Sequence, residues 1–312
     1  MIRKQRRFKA LPRHKPVLLE KTIETLQLKA GEIVVDGTLG SAGHAKHLAE
    51  QIGPTGQLIG LDQDPVSIDR CREILKDYPQ AVLRVANFVE IEKVLEELNI
   101  LRIDAVLIDT GFSSDQLEDP ERGLSFERNG PLDMRLGPYA KVQAKDLVND
   151  LSQLELERIF LEYGEERYSR SFARVICESR ELKRIETTFD LIEVMAKTLP
   201  KGFRIEKGRR PRHQRHHFAT RIFQALRIAV NQELEILEKG LNLFWNRLNY
   251  NGRIVVITFH SLEDRIVKRF FREKKDLGEG ILIHKKAVQA TWQETKENPR
   301  ARSAKLRGIQ KL

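Results

Sequence analysis

Three aspartates stand at the ends of apolar runs. Asp36 closes residues 33–36 and opens the loop Gly37-Thr38-Leu39-Gly40-Ser41-Ala42-Gly43-His44. Asp62 closes residues 58–62, and Asp109 closes residues 105–109. In open parallel sheets, ligands bind beyond the carboxyl ends of the strands, where the strand order reverses. Acids at those ends are therefore candidates for binding and chemistry. Glycines 37, 40 and 43 let backbone approach a ligand closely. Their G-x-x-G-x-x-G spacing differs from the G-x-G-x-x-G of dinucleotide sites and suits a looser loop around an adenosyl-amino-acid ligand. An acid after the second strand accepts from both hydroxyls of a ribose. NAD and S-adenosylmethionine share that ribose, so Asp62 indicates a nucleoside-containing cofactor without choosing between them. Phe88 follows the third strand, where an aromatic ring either covers an adenine or packs in the core.

The elements that must position these residues alternate. Strands are expected at 33–36, 58–62, 81–86 and 105–109, with helices at 43–51, 65–75 and 89–98; Asp64 and Pro65 form a start signal for the second helix. This alternation predicts an α/β fold with a parallel, doubly wound sheet. It then stops. Residues 113–144 are turn-rich, and 146–200 read as helical throughout, with capping boxes at Ser152-x-x-Glu155 and Thr187-x-x-Asp190. A long amphipathic helix is expected over 218–248, then a strand at 254–259 and a helix capped at Ser261-x-x-Asp264. A final hairpin is expected from 281–289 and 303–309. The organisation that follows is one α/β domain, 13–112 and 217–312, interrupted by an all-helical insertion at 113–216 and preceded by a basic tail at 1–12.

Charge narrows the partners. The chain of 312 residues carries +10. Residues 1–15 hold +7, 201–216 hold +6 and 296–312 hold +5, leaving the body at −8. Three basic segments on an acidic body form a footprint for a polyanion; the plainer alternative is solubility. No apolar run of membrane-spanning length occurs, no secretory signal is visible, and the only cysteines, Cys71 and Cys177, form no CxxC pair. Neither a metal site nor a disulfide framework is suggested, and a cytoplasmic setting fits.

Longer motifs are more specific. His14-Lys15-Pro16-Val17-Leu18-Leu19, Asp36-Gly37-Thr38-Leu39-Gly40, Leu61-Asp62-Gln63-Asp64-Pro65 and Arg122-Gly123-Leu124-Ser125-Phe126 occur in that order. Gly130-Pro131-Leu132-Asp133-Met134-Arg135, Tyr163-Gly164-Glu165-Glu166-Arg167 and Phe223-Gln224-Ala225-Leu226-Arg227-Ile228 follow. Phe259-His260-Ser261-Leu262-Glu263-Asp264-Arg265 and Asn298-Pro299-Arg300-Ala301-Arg302-Ser303 complete the series. From about residue 14 to about 307 the chain resembles the RsmH (MraW) family, bacterial 16S rRNA cytosine-N4 methyltransferases. The resemblance implies a class I, Rossmann-like methyltransferase domain with an inserted helical substrate domain. It implies S-adenosyl-L-methionine as cofactor, held by Ala42, Gly43, His44, Asp62, Phe88, Asp109 and Gln116. The implied substrate is cytosine 1402 of 16S rRNA, at the decoding region of the small ribosomal subunit; no membrane partner is implied, and a homodimer is allowed. The chain departs from the family at Ser41-Ala42, in Asp109-Thr110-Gly111-Phe112-Ser113-Ser114-Asp115-Gln116 (usually D-L-G-V-S-S-P-Q), and at Phe218, where a proline is usual. These departures bear on loop geometry, not on any charged group assigned to the cofactor.

Cytosine N4 is a weak nucleophile because its lone pair is delocalised into the ring. Transfer to it requires alignment with the methyl and an acceptor for the amino protons. Asp109 is the candidate catalytic residue: it either holds the methionine end of the cofactor or accepts from the target amine, unless it only caps the following turn. His260 either lies over the pocket or serves as a helix-entry residue. Asp133 and Arg135 either order a substrate loop or form a surface pair. Attack at ring carbon C5 would need a thiolate, and both cysteines fall within helices away from the strand ends. Two rivals remain at this level. A methyltransferase of small molecules or proteins leaves the basic segments unexplained, and a non-catalytic RNA-binding factor leaves the nucleoside pocket unexplained.

Overall fold

A computed structural model describes residues 15–112, 114–198 and 219–312. Packing divides the chain into two compact units, 1–111 with 240–312, and 112–239.

The first unit is built on one sheet. Its strands are β1 (Ile33–Asp36), β2 (Gln57–Asp62), β3 (Ala81–Val85), β4 (Ile103–Asp109), β5 (Leu248–Thr258), β6 (Gly280–Leu282), β7 (Val288–Gln289) and β8 (Lys305–Lys311). The order is β3-β2-β1-β4-β5-β8-β6, with β7 also on β8. β1 to β5 run parallel, and β8 is antiparallel to β5. After β1 the chain builds outward through β2 and β3, then returns to place β4 on the other side of β1. The reversal therefore falls between β1 and β4, so the ends at Asp36 and Asp109 flank the crevice this topology reserves for ligands. The central strands β1, β2, β4 and β5 are buried on both faces, as crossover helices demand. Val34, Val35, Leu58, Ile59, Leu107, Val255 and Ile257 are fully sealed. The helices Gly43–Ile52 and Pro65–Ile74 lie as expected, the latter started by Asp64 accepting from the Val66 N–H.

Sequence and structure differ at three places here. The expected hairpin has a divided first arm: β6 and β7 both pair with β8, interrupted at 283–287, where His284 Nε2 lies 3.0 Å from Thr25 Oγ1. The helix Ser261–Asp276 is entered one residue earlier than expected, with His260 as its cap and Glu263, not Asp264, closing the box. Asp264 is instead held by Arg307 and Lys305 of β8 at 2.7 and 3.0 Å.

The second unit is helical, with one isolated β-bridge, Pro131 to Thr187. Its main helices are Ala144–Asp150, Gln153–Glu162, Ser169–Arg180, Thr188–Ala196 and Thr220–Asn231, around a core that includes Phe160, Phe172, Ile176, Leu191 and Leu226. Both expected capping boxes form: Ser152 accepts from the Glu155 N–H and Thr187 from the Asp190 N–H. The span 146–200 is broken into separate helices by turns. The expected helix over 218–248 is two helices, Thr220–Asn231 and Glu233–Arg247, separated by Gln232 at φ 51°. The break has a tertiary cause. The Asn231 amide donates to the Met134 carbonyl at 2.8 Å and accepts from the Leu136 N–H at 2.9 Å, which fixes the turn onto the 130–136 segment. This unit runs to Lys239, beyond the 216 expected from sequence, because Thr220–Asn231 packs on Gln153–Glu162. The basic segments 1–14 and 201–216, and Phe218, lie outside the described residues.

Candidate active site

The site is built first from backbone. The Gly37 N–H donates to the Leu107 carbonyl and the Leu39 N–H to the Leu61 carbonyl, so the loop after β1 is tied to both flanking strands. The Thr38 hydroxyl receives the Asp109 N–H at 2.6 Å, joining the ends of β1 and β4. Asp62 then locks the loop from the β2 side. Its Oδ2 accepts the Gly40 N–H at 2.8 Å and its Oδ1 accepts the Asp64 N–H at 2.8 Å.

Gly40 at φ 53° and Ala42 at φ 56° are both left-handed, and the turn delivers the chain into the helix Gly43–Ile52. Ala42, at the N-cap position, offers that helix no side-chain acceptor, so its N–H groups and the positive end of its dipole suit a carboxylate. Space at Gly43 is tight: a Cβ there would sit 3.2 Å from Pro16 Cβ. His44 is buried, and its Nε2 bonds the Val17 carbonyl at 3.0 Å. That bond engages the ring with the start of the chain. Cys71 lies behind the loop, with Sγ 3.4 Å from the Gly40 carbonyl, closer to the strand ends than sequence suggests. Burial, with Asp62 and Asp36 nearby, pushes its thiol up to about 12, so it stays protonated and is no nucleophile.

Phe88 opens a short turn after β3, capped by Asn87. Its ring stacks on Phe244, with centroids 6.3 Å apart and planes 28° from parallel. Two glycines make this possible. A Cβ on Gly240 would fall 2.3 Å from Phe88 Cε2, and one on Gly37 would fall 3.3 Å from Phe88 Cβ. The ring is thus wedged between the Phe244 ring and the bare backbone of Gly37 and Gly240.

Asp36 and Asp109 carry the electrostatics. Asp36 is buried, and burial, with Asp109 and Asp62 close by, pushes its carboxyl up to about 7 against the hydrogen bond from the Thr38 N–H. Burial pushes Asp109 up to about 7 as well. The Glu263 carboxylate adds to the rise, and the Gly111 N–H at 3.0 Å and the Arg300 guanidinium oppose it. Glu263 is itself held by the Phe259 and His260 N–H groups at 2.9 and 3.2 Å. His260 Nδ1 accepts from the Glu263 N–H at 3.5 Å. His260 thus enters the helix through Nδ1, while its Nε2 is buried without a hydrogen bond among the described residues.

Ala42, Gly43, His44, Asp62, Phe88 and Asp109 thus gather in the first unit. Gln116 belongs to the second, buried on Ser114–Glu118. There, Asp133 receives Arg135 Nε and Nη2, both at 2.8 Å, and Gln143 Nε2 at 2.6 Å, a clamp that orders the 131–143 segment.

Comparison with known proteins decides the family. A profile described as the MraW methylase family matches residues 12–312. Proteins named ribosomal RNA small subunit methyltransferase H match along nearly the whole length. The one from Clostridium botulinum (strain Loch Maree / Type A3) is 42% identical, over 96% of this chain and 99% of its own. The one from Geobacter sulfurreducens is 44% identical, over 96% and 99%. The chain belongs to the MraW methylase family. Among solved structures, a putative rRNA-methylase from Clostridium thermocellum aligns at TM-score 0.45 and 13% identity, over 96% of this chain and 100% of that one.

For this MraW-family chain, sequence reasoning found the acids and the loop but passed over Thr38, Gly240, Phe244 and Arg300. A signal existed for Gly240, since a lone glycine inside a helical pattern often marks close packing. Arg300 sits in the Asn298–Ser303 motif, yet nothing in the motif says that its charge acts on Asp109.

Proposed function

We propose that this chain transfers a methyl group from S-adenosyl-L-methionine to the exocyclic N4 of cytosine 1402 in 16S rRNA of the small ribosomal subunit. The observation that carries the proposal is the 42–44% identity, across 96% of the chain, to proteins named small-subunit rRNA methyltransferases. The geometry fits the cofactor part by part. Asp62, at the end of β2, is assigned the ribose, and Phe88, just after β3, is assigned the adenine. The start of Gly43–Ile52, with Ala42 and His44, receives the methionine carboxylate through backbone N–H groups. Gln116, on the second unit, is the remaining residue that the family resemblance assigns to the cofactor, and that unit is assigned to substrate recognition.

The cofactor supplies an electrophilic methyl on a cationic sulfonium. The chain must hold the cytosine amino group in line with it and take up the proton that N4 loses. Asp109 is assigned that second task. A carboxyl held near neutrality by burial is matched to proton transfer at physiological pH, and Arg300 favours its ionised form. The target base has to leave its stack to reach such a pocket.

Single-turnover methylation of purified small subunits at saturating cofactor tests the assignment. Asp109→Asn keeps the size and removes the charge. The rate should fall by about 10²-fold, the scale of one preorganised electrostatic contact, with RNA affinity nearly unchanged. Full single-turnover rate in this variant would remove Asp109 from the transfer step.

A further inference from the structure

The short helix Trp292–Glu297 joins the two ends of the described chain. The Leu18 N–H donates to Glu294 Oε1 at 2.6 Å, Lys15 Nζ to Glu297 Oε2 at 2.7 Å, and Asn298 Nδ2 to the Lys15 carbonyl at 3.1 Å. Gln293 Nε2 also donates to Glu297, at 3.2 Å. Both carboxylates of the helix are therefore engaged by neighbouring donors. Left facing outward is an indole: Trp292 is 79% exposed, with Lys296 Nζ 5.3 Å from its ring centroid. A single exposed apolar side chain needs no explanation, but this one stands in a strongly basic setting. Residues 285–302 carry Lys285, Lys286, Lys296, Arg300 and Arg302 against those two glutamates, while Lys305 and Arg307 further on are paired with Asp264. Lys285, Lys286 and Arg302 are exposed.

We infer that Trp292 and the cations around it form an RNA-docking platform on the methyltransferase unit, distinct from the strand-end pocket. The indole stacks on an unpaired base, and Lys296 and Arg302 neutralise the adjoining phosphates. An aromatic face with flanking lysines and arginines is the chemistry that holds single-stranded nucleic acid; a protein partner would leave this cation excess unmatched. The inference rests on the RNA substrate proposed above.

The chain has two tryptophans, and the other, Trp245, is 3% exposed. Iodide quenching of intrinsic fluorescence thus reports mainly on Trp292. The probe is a single-stranded oligoribonucleotide of about 12 nucleotides, within the span such surfaces cover, with a duplex of equal length as control. The single strand should quench the emission and shield it from iodide, and the duplex should do so less. Trp292→Ala should lower affinity about 10-fold, the scale of one stacked base, and Trp292→Phe should restore most of it. Trp292→Ala should leave the salt dependence intact, whereas Lys296→Ala and Arg302→Ala should each flatten the slope by roughly 0.7. Unchanged affinity in Trp292→Ala, or iodide access undiminished with RNA bound, would overturn the inference. So would shielding that appears with rising protein concentration alone, which would assign the surface to a second copy. Wild-type protein that binds neither the oligonucleotide nor small subunits would overturn the proposed function together with this surface.

Discussion

Asp62→Asn is the most revealing single change, because Asp62 has two jobs that an amide cannot share. Its two oxygens each accept a backbone N–H at 2.8 Å, from Gly40 and from Asp64. An asparagine has one oxygen and one NH2. Whichever way the amide turns, a donor faces one of those N–H groups. The variant loses one charge-assisted bond of about 1.5–3 kcal/mol and leaves a backbone donor opposed. Without cofactor, Asn should therefore be no more stable than Ala, although it is the closer mimic of Asp. Ribose binding suffers in addition, because hydrogen bonds from both hydroxyls lose the ionised acceptor. A loss of about 1.5–3 kcal/mol corresponds to roughly 10- to 150-fold in cofactor affinity. Calorimetric titration with S-adenosylmethionine and thermal melting of the cofactor-free protein read the two effects separately. An Asn variant that melts like wild type and binds cofactor equally well would refute both the lock and the ribose assignment.

Other outcomes follow from the same geometry. Gly240→Ala places a Cβ 2.3 Å from Phe88 Cε2, and overpacking of this kind costs about 1–3 kcal/mol. Displacing the ring should weaken cofactor binding about 10-fold with the rate at saturation preserved, and adding Phe88→Leu should recover stability; wild-type affinity would separate Phe88 from the cofactor. Asp36 and Asp109 titrate near 7 in the folded chain and in the usual carboxylate range when unfolded. Between about pH 4 and 7 the folded state thus holds more protons, so these two groups make stability fall as pH rises through that window; Asp36→Asn should make the melting temperature less dependent on pH there. Binding of the cationic cofactor favours the ionised forms, so its affinity should rise between about pH 6 and pH 8 with proton release, detectable by calorimetry in buffers of different ionisation enthalpy. Alkylation at mildly alkaline pH should modify Cys177 and spare Cys71, whose thiol is held at about 12; mass mapping of the peptides checks this.

What the sequence disclosed is what local pattern dictates. Asp36, Asp62 and Asp109 were readable because each ends a short apolar run, and a strand buried on both faces has little freedom to end elsewhere. Ser152 and Thr187 were readable because a capping box is satisfied within four residues. The misses share the opposite property. The break at Gln232 depends on Asn231 reaching Met134 and Leu136, nearly 100 positions away. The nearness of Cys71 to Gly40, the wedge of Phe88 against Gly240, and the influence of the Arg300 charge on Asp109 are likewise interactions across the fold. His260 was ambiguous because histidine can cap a helix or serve a pocket, and only the position of Glu263 shows the cap. The family motifs supplied the residues proposed for the cofactor, but not that Asp62 also holds the loop that leads to Ala42, Gly43 and His44.

The central claim, transfer to one amino nitrogen of one rRNA base, is tested by mass mapping. Small subunits from a strain lacking this protein are incubated with it and with S-adenosylmethionine bearing a heavy methyl group, and the 16S rRNA is then digested and sequenced by mass. One heavy methyl on N4 of cytosine 1402 is the expected product. A heavy methyl on ring carbon C5, on another nucleotide, or on no RNA at all would contradict the account.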